Sequence, residues 1–360
     1  MSGRYYEIVV RAPQPASNSA LGALPISNTT ATFSPVAKSA NGTDGQYGWQ
    51  SHPDGIVDPA AQNVSFDVMV LPAAVAHGAS FVTIEGIDLH DLSEVNNFRP
   101  TTDGPWTFEL YAGMKDGLPL SARQPAPGLL FGGIVLDAFG NWQGTEMTLS
   151  FLVTAGIYAI DKPGNLVLNW QKGQDLSAAL AIMLQQAYPH HTLLIEIQSG
   201  MVNKWQFLHY SSTLKQMADL VLQSTKNWGG VKSYPGVSIV VQNNTVLVFD
   251  GTQSGTKPPI QISYDSLVGQ PTWIDAVTVA ITTIMRSDIS VGDEIEMPAG
   301  MSEMPGAVFT QAAIGNAFLN QKVMFSGKFT VIGVRHCGDF RSDDGAQWVT
   351  VIHAAAVAPA

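Results

Sequence analysis

Four residues near the end of the chain carry the side chains that a metal or redox centre needs: His336, Cys337 and Asp339, with His353 further on. A structural zinc site wants four converging ligands. Along a strand, neighbours point to opposite faces, so His336 and Cys337 converge only where the strand breaks. Cys337 is also the single cysteine and has no spaced partner. The spacing argues against a metal centre. His190 and His191 follow Pro189 at the end of an expected helix, where the helix dipole favours a positive charge. His209, in Leu208-His209-Tyr210, reads as a strand-end residue.

Hydrolysis needs an activated nucleophile or two carboxylates aimed at one substrate. The chain has no Gly-x-Ser-x-Gly turn. Asp288, Asp293, Glu294 and Glu296 fall on a turn and the strand after it. Glu294 and Glu296 then share one face, as a solvated or interface stripe does. Asn41-Gly42-Thr43-Asp44-Gly45 and Ser342-Asp343-Asp344-Gly345 offer oxygen ligands. Neither matches the calcium loop that ends in a bidentate Glu, so both read as tight turns. No phosphate-binding loop or dinucleotide fingerprint occurs. Trp49, Trp106, Trp142, Trp170, Trp205, Trp228, Trp273 and Trp348 are spread along the chain, which suits cores and subunit contacts better than a sugar-binding surface. The expectation is a chain that is not an enzyme, with no catalytic, cofactor-binding or metal residues.

Composition agrees with an assembly component. Of 360 residues only 13% are charged while 45% are hydrophobic, and Gly 34 and Pro 21 make the chain rich in turns. The net charge is -11, and the Lys and Arg residues are scattered singly. That distribution disfavours binding nucleic acid through its phosphates. One cysteine excludes an intramolecular disulfide and suits a reducing compartment. Met1 to Glu7 lacks the apolar stretch of a signal peptide, and no apolar run reaches the ~20 residues of a membrane span. The chain is expected to fold in the cytoplasm.

The elements that would position these residues are mostly strands. Tyr5–Arg11 reads as a first strand, and residues 12–62 as a long polar loop. Strands resume at 64–70, 79–85, 107–111, 129–131, 133–136 and 147–153, alternating apolar and polar residues. The period then changes. Asp175 is a good N-cap for a helix carrying Leu176, Ala179, Leu180, Met183, Leu184 and Ala187. Thr213-Leu214-Lys215-Gln216 opens a second helix with a capping box, stopped at Gly229-Gly230. Asn243-Asn244 turns a hairpin between 237–241 and 246–249. From Ile260 onward short apolar bursts return, including Ile289/Val291, Ile295/Met297, Val323/Phe325, Phe329/Val331 and Val349/Val351. They predict five to seven antiparallel strands. The fold class is α+β, mostly β: barrel-like antiparallel domains at 1–158 and 258–360, with a small α/β domain at 159–257 between them.

The last hundred residues also carry a resemblance. Ser266-Leu267-Val268-Gly269-Gln270-Pro271, a strand, then Met285-Arg286-Ser287-Asp288-Ile289-Ser290-Val291-Gly292-Asp293 and a strand ending at Pro298 resemble the baseplate hub proteins of contractile phage tails. Phe325-Ser326-Gly327, Val334-Arg335-His336, Gly338-Asp339-Phe340-Arg341 and Trp348-Val349-Thr350 are similar to the same family. So are Tyr111-Ala112-Gly113-Met114, Gly117-Leu118-Pro119-Leu120, Gly132-Gly133-Ile134-Val135 and Gly140-Asn141-Trp142. The resemblance covers roughly Phe66 to Ala354, and its order and spacing are more specific than any single motif.

The resemblance implies a structural protein of the virion, a homotrimer whose barrel-like domains alternate in a ring. Its implied partners are the central spike protein, the tail tube or a tube-initiator protein, and other baseplate proteins. DNA would pass through without specific binding. Two readings of other classes remain: a tail-associated cell-wall hydrolase, and a receptor- or carbohydrate-binding module of the virion.

Overall fold

The computed structural model describes residues 3–13, 46–75, 79–100, 104–115, 127–156, 165–230, 234–252, 257–275, 277–297 and 327–356. The first part supplies β1 (Arg4–Arg11), β2 (Gln46–Gln50), β3 (Asn63–Val70), β4 (Ser80–Glu85), α1 (Leu89–Glu94), β5 (Thr107–Met114), β6 (Gly128–Gln143) and β7 (Glu146–Ala155). A middle part, the insert, carries β8 (Leu166–Trp170), α2 (Leu176–Ala187), β9 (Thr192–Glu196), β10 (Phe207–Ser211), α3 (Leu214–Thr225), β11 (Ser238–Gln242) and β12 (Thr245–Phe249). The last part holds β13 (Ile260–Gln261), β14 (Thr272–Trp273), β15 (Thr278–Ile284), β16 (Glu294–Met297), β17 (Gly327–Asp339) and β18 (Trp348–Ala356). The chain is mostly β with a helical minority, the class expected.

Outside the insert, the strands of both chain halves form one 13-stranded sheet in the order β14-β15-β18-β17-β3-β4-β7-β6-β5-β1-β2, with β16 on β17 and β13 on β16. β17 is long enough to serve both halves. Its start pairs with β16, its end pairs antiparallel with β3 from Val334↔Val70 to Asp339↔Ser65, and β18 runs along its other edge. The sheet is open: the described residues form no closed barrel, unlike the two barrel-like domains expected. Alternation reveals that a strand is half-buried but leaves its pairing partner unspecified. Inner-face residues such as Tyr6, Phe66, Phe108, Phe151, Phe329 and Ile352 bury into one continuous core.

Several local expectations shift. β2 lies inside the stretch read as a polar loop and pairs with β1, while 14–45 fall outside the described residues. The segments 129–131 and 133–136 are one strand, β6, with a register shift between Val135 and Asp137 that leaves Leu136 facing solvent. Gly133 is required there, because a Cβ would lie 2.0 Å from the Thr154 carbonyl oxygen. Ile289 and Val291 are buried but sit in a turn rather than a strand. β13 and β16 pair in parallel. Val323 and Phe325 lie outside the described residues.

The insert has its own core. Asp175 caps α2 by accepting from the Ser177 N–H at 3.0 Å, and the spaced apolar residues Leu176, Ala179, Leu180, Met183 and Leu184 are buried. Thr213 caps α3 through the Gln216 N–H, while the Gln216 side chain returns to Ser212 rather than to Thr213. α3 ends at Thr225, ahead of the glycines expected to stop it. Asn227 takes the left-handed conformation just beyond, and the Thr225 hydroxyl bonds the Val221 carbonyl at 2.6 Å.

The β11–β12 hairpin joins the two cores. Ile239, Val246 and Val248 bury among the helices, whereas Val240, Leu247 and Phe249 bury in the core of the large sheet. With side chains alternating along a strand, the hairpin is apolar on both faces.

Candidate functional site

The insert and the last part of the chain enclose a cleft of about 590 Å³. It is lined by Glu196, Asn244, Lys257, Asp288, Asp293 and Glu294 among others, so three of the four acids singled out from the sequence meet there. Each is already engaged. Asp288 takes two bonds from the Arg286 guanidinium, at 2.8 and 2.6 Å. Glu294 lies 2.8 Å from Lys328 Nζ. Asp293 accepts from the Ser290 N–H at 2.8 Å and closes the turn, and burial pushes its carboxyl above the usual range. Glu296 accepts from Gln261 outside the cleft. These contacts use the acids as turn and strand fasteners.

The wall of the cleft is held by a two-way clasp. Gln242 of β11 donates Nε2 to the Val291 carbonyl and accepts the Val291 N–H, both at 3.1 Å. At the tip of the same hairpin, Asn243 Oδ1 accepts from Gly132 N–H of β6 at 3.0 Å. Gly292 follows Val291 with φ +95, a conformation that L side chains rarely adopt, and its face touches Leu247 of β12. The hairpin therefore grips both halves of the sheet.

The suspected metal ligands do not converge. His336 is fully enclosed, bonds Thr350 Oγ1 through Nδ1 at 2.9 Å, and is pushed down to about 3 by burial. Cys337 points to the other face beside Asp67, and burial pushes its thiol up to about 11, which keeps it protonated and a poor nucleophile. His353 lies opposite Gly333 on the neighbouring strand. Asp339 instead accepts backbone N–H groups of Arg341 and Ser342. His190 and His191 occupy the turn after α2, where the His191 ring meets Tyr188 edge-on. His209 lies in the middle of β10, not at its end, stacked on Phe207. Asn41 to Gly45 fall outside the described residues. In the other candidate loop, Asp344 accepts from the Ala346 N–H at 2.8 Å, as a tight turn does.

Trp49, Trp106, Trp170 and Trp348 are buried, and Trp228 and Trp273 are partly so. Trp142 and Trp205 are the exceptions, 61% and 76% exposed. Near Trp205 the β8–β10 ribbon turns Val167, Leu208 and Tyr210 outward as well.

Sequence reasoning missed Arg4. Its guanidinium, almost wholly buried, donates to the carbonyls of Asp339 (2.6 Å), Ser342 (2.5 Å) and Asp344 (2.7 Å) and lies 5.7 Å from the Trp348 ring centre. Burial lowers its pKa, and Asp339, Asp344 and Asp343 oppose that shift. The only signal in the sequence is a lone base heading an apolar strand, opposite in charge to a distant acidic turn.

No protein-family model and no curated protein matches the chain. Among solved structures it is similar to an Escherichia coli component of the type VI secretion system, described as resembling the T4 phage tail proteins gp27 and gp5. That match has 10% identity and a TM-score of 0.43, over 82% of this chain and 73% of the other. A tail protein of Neisseria meningitidis matches at 9% identity and TM-score 0.44, over 82% and 91%. A 43 kDa tail protein of a Shewanella oneidensis prophage matches at 7% and 0.40, over 82% and 93%. Overlaps with TM-scores below 0.5 decide neither family nor function, so any functional reading rests on the chain's own motifs and geometry.

Proposed function

We propose that the chain is a structural subunit of a phage tail, the baseplate hub. In this reading three copies form a ring, and each subunit contributes the two halves of its sheet, with β17 common to both. The ring sits between the tail tube or its initiator and the central spike, contacts other baseplate proteins, and lets DNA pass. One observation supports it above the rest: hub-like motifs from both chain halves meet in one core. Trp348, of Trp348-Val349-Thr350, donates Nε1 to the Gly113 carbonyl of Tyr111-Ala112-Gly113-Met114 at 3.1 Å, across 235 residues. Phe66 stacks edge-on against the same indole.

Two further features fit. An acidic chain with scattered bases does not hold phosphates, as a DNA passage requires. Among the described residues no helix is long and apolar enough to cross a membrane. Native mass spectrometry of the intact chain, alone and co-expressed with the central spike protein, tests the reading. A threefold species, above all one carrying the spike, is expected; a strict monomer in both samples overturns it.

A further inference from the structure

We infer that neighbouring copies of this chain meet through the insert: the turns at 171–174 and 203–206 of one copy seat on the α1 face of the next. The inference rests on the ring reading above. A closed cyclic ring of three copies needs two different surfaces on each subunit, complementary to one another, and the charge distribution supplies such a pair.

The chain's 18 bases and 29 acids are not evenly shared. Residues 166–249 hold five lysines against three acids, leaving 13 bases and 26 acids for the remainder. The insert is thus a mildly basic body on an acidic one. Its basic end is defined by structure. Gly173 N–H bonds the Asn203 carbonyl at 3.0 Å, which sets the two turns side by side and brings exposed Lys172 and Lys204 to one end of the β8–β10 ribbon. Trp205, 76% exposed, follows Lys204 in the same turn. Among the described residues neither lysine forms an ion pair. An exposed indole is a side chain that anchors interfaces, and the lysines at this end set the sign of the patch.

The opposite patch lies on the first part of the chain. Asp88 is exposed and Glu85 and Glu94 are partly so, with Asp91 buried between them, and no Lys or Arg intervenes before Arg99. Asp88, exposed, is the N-cap of α1 and sets its carboxylate at the start of that helix. The β6–β7 turn adjoins it, since Gly86 N–H bonds the Met147 carbonyl at 3.0 Å. That turn adds exposed Glu146 and Trp142. Each patch therefore has an exposed tryptophan and charge of the sign opposite to the other. A contact between two copies of one patch would instead set like charges against each other.

Sedimentation velocity on the full chain over a concentration series tests this. Lys172→Glu/Lys204→Glu and Glu85→Lys/Glu146→Lys are each expected to weaken the trimer by at least about tenfold, and the combined variant to recover most of that loss. Circular dichroism, unchanged in all three, verifies that the substitutions at these turns and strand ends leave the fold intact. Weakening without recovery in the combined variant overturns the pairing. A wild-type trimer indifferent to both variants assigns the patches to another partner and overturns the inference while the ring stands. A wild-type monomer removes the ring reading itself.

Discussion

The large sheet and the insert are built on opposite plans. The insert closes locally: β8 pairs with β10, β9 with β12, and two capped helices cover them, all within residues 166–249. The sheet closes only when the chain's distant parts meet, as in Arg4 with residues 339–344 or β3 with β17. Local closure costs little chain entropy, whereas long loops must be closed before their contacts stabilise anything. The difference indicates which contacts the molecule can lose. Damage in the insert should stay in the insert; damage in the sheet should spread to both halves.

The largest test of that contrast is a pair of cavities. Phe151→Ala, at a fully buried ring packed on Trp49, Phe98 and Phe108, should cost about 3–5 kcal/mol and lower the melting of both halves of the sheet together. Leu180→Ala in the insert core should cost a comparable amount yet leave hydrogen-exchange protection of β3 and β17 unchanged. Loss of protection in both places from Leu180→Ala would show that the two cores are one cooperative unit. Next comes Arg4→Ala, which removes the buried guanidinium that ties several carbonyls of a largely exposed turn to β1 and should cost about 1.5–3 kcal/mol. Exchange should rise first in residues 339–344 and β1.

A pH titration sharpens the same point at β17. The folded state holds His336 neutral, down to about 3 from the ordinary 6.5, so below pH 6.5 the unfolded chain binds a proton that the folded chain refuses. The stability from this residue is complete above pH 6.5 and falls by about 1.4 kcal/mol per unit on acidification. Urea melts at pH 7 and pH 5 should differ less in His336→Gln than in the parent. Smallest is Gly292→Ala, expected to cost about 1–2 kcal/mol through its φ of +95. It should loosen the clasp between Gln242 and Val291 while leaving the insert core intact, visible as faster exchange at Val291.

Which parts were legible follows from range. Asp175, the α2 stripe and the Asn243-Asn244 hairpin are written within a dozen residues, and the structure places them as read. The alternation of Val64, Phe66, Val68 and Val70 correctly marked a strand but carried no hint that β17 lies beside it. A second strand hid in the polar stretch because Gln46–Gln50 has few apolar residues to alternate. For the cleft, Asp288, Asp293 and Glu294 were visible as acids, while Arg286 and Lys328, which neutralise two of them, owe their places to tertiary folding. Arg4 was the least legible, since its partners are main-chain carbonyls that no side-chain motif announces.

Arg4 also sets a timetable. Its first carbonyl partner lies 335 residues downstream. At roughly 5–20 residues per second, a ribosome takes on the order of tens of seconds to make that partner after β1 has emerged. Throughout that wait β1 and β3 have inner faces with no completed core, while the insert, made in between, can already be finished. The nascent chain thus carries a folded middle and a sticky leading end. Demand for chaperone binding should fall on the first strands and end abruptly when the turn after β17 leaves the exit tunnel.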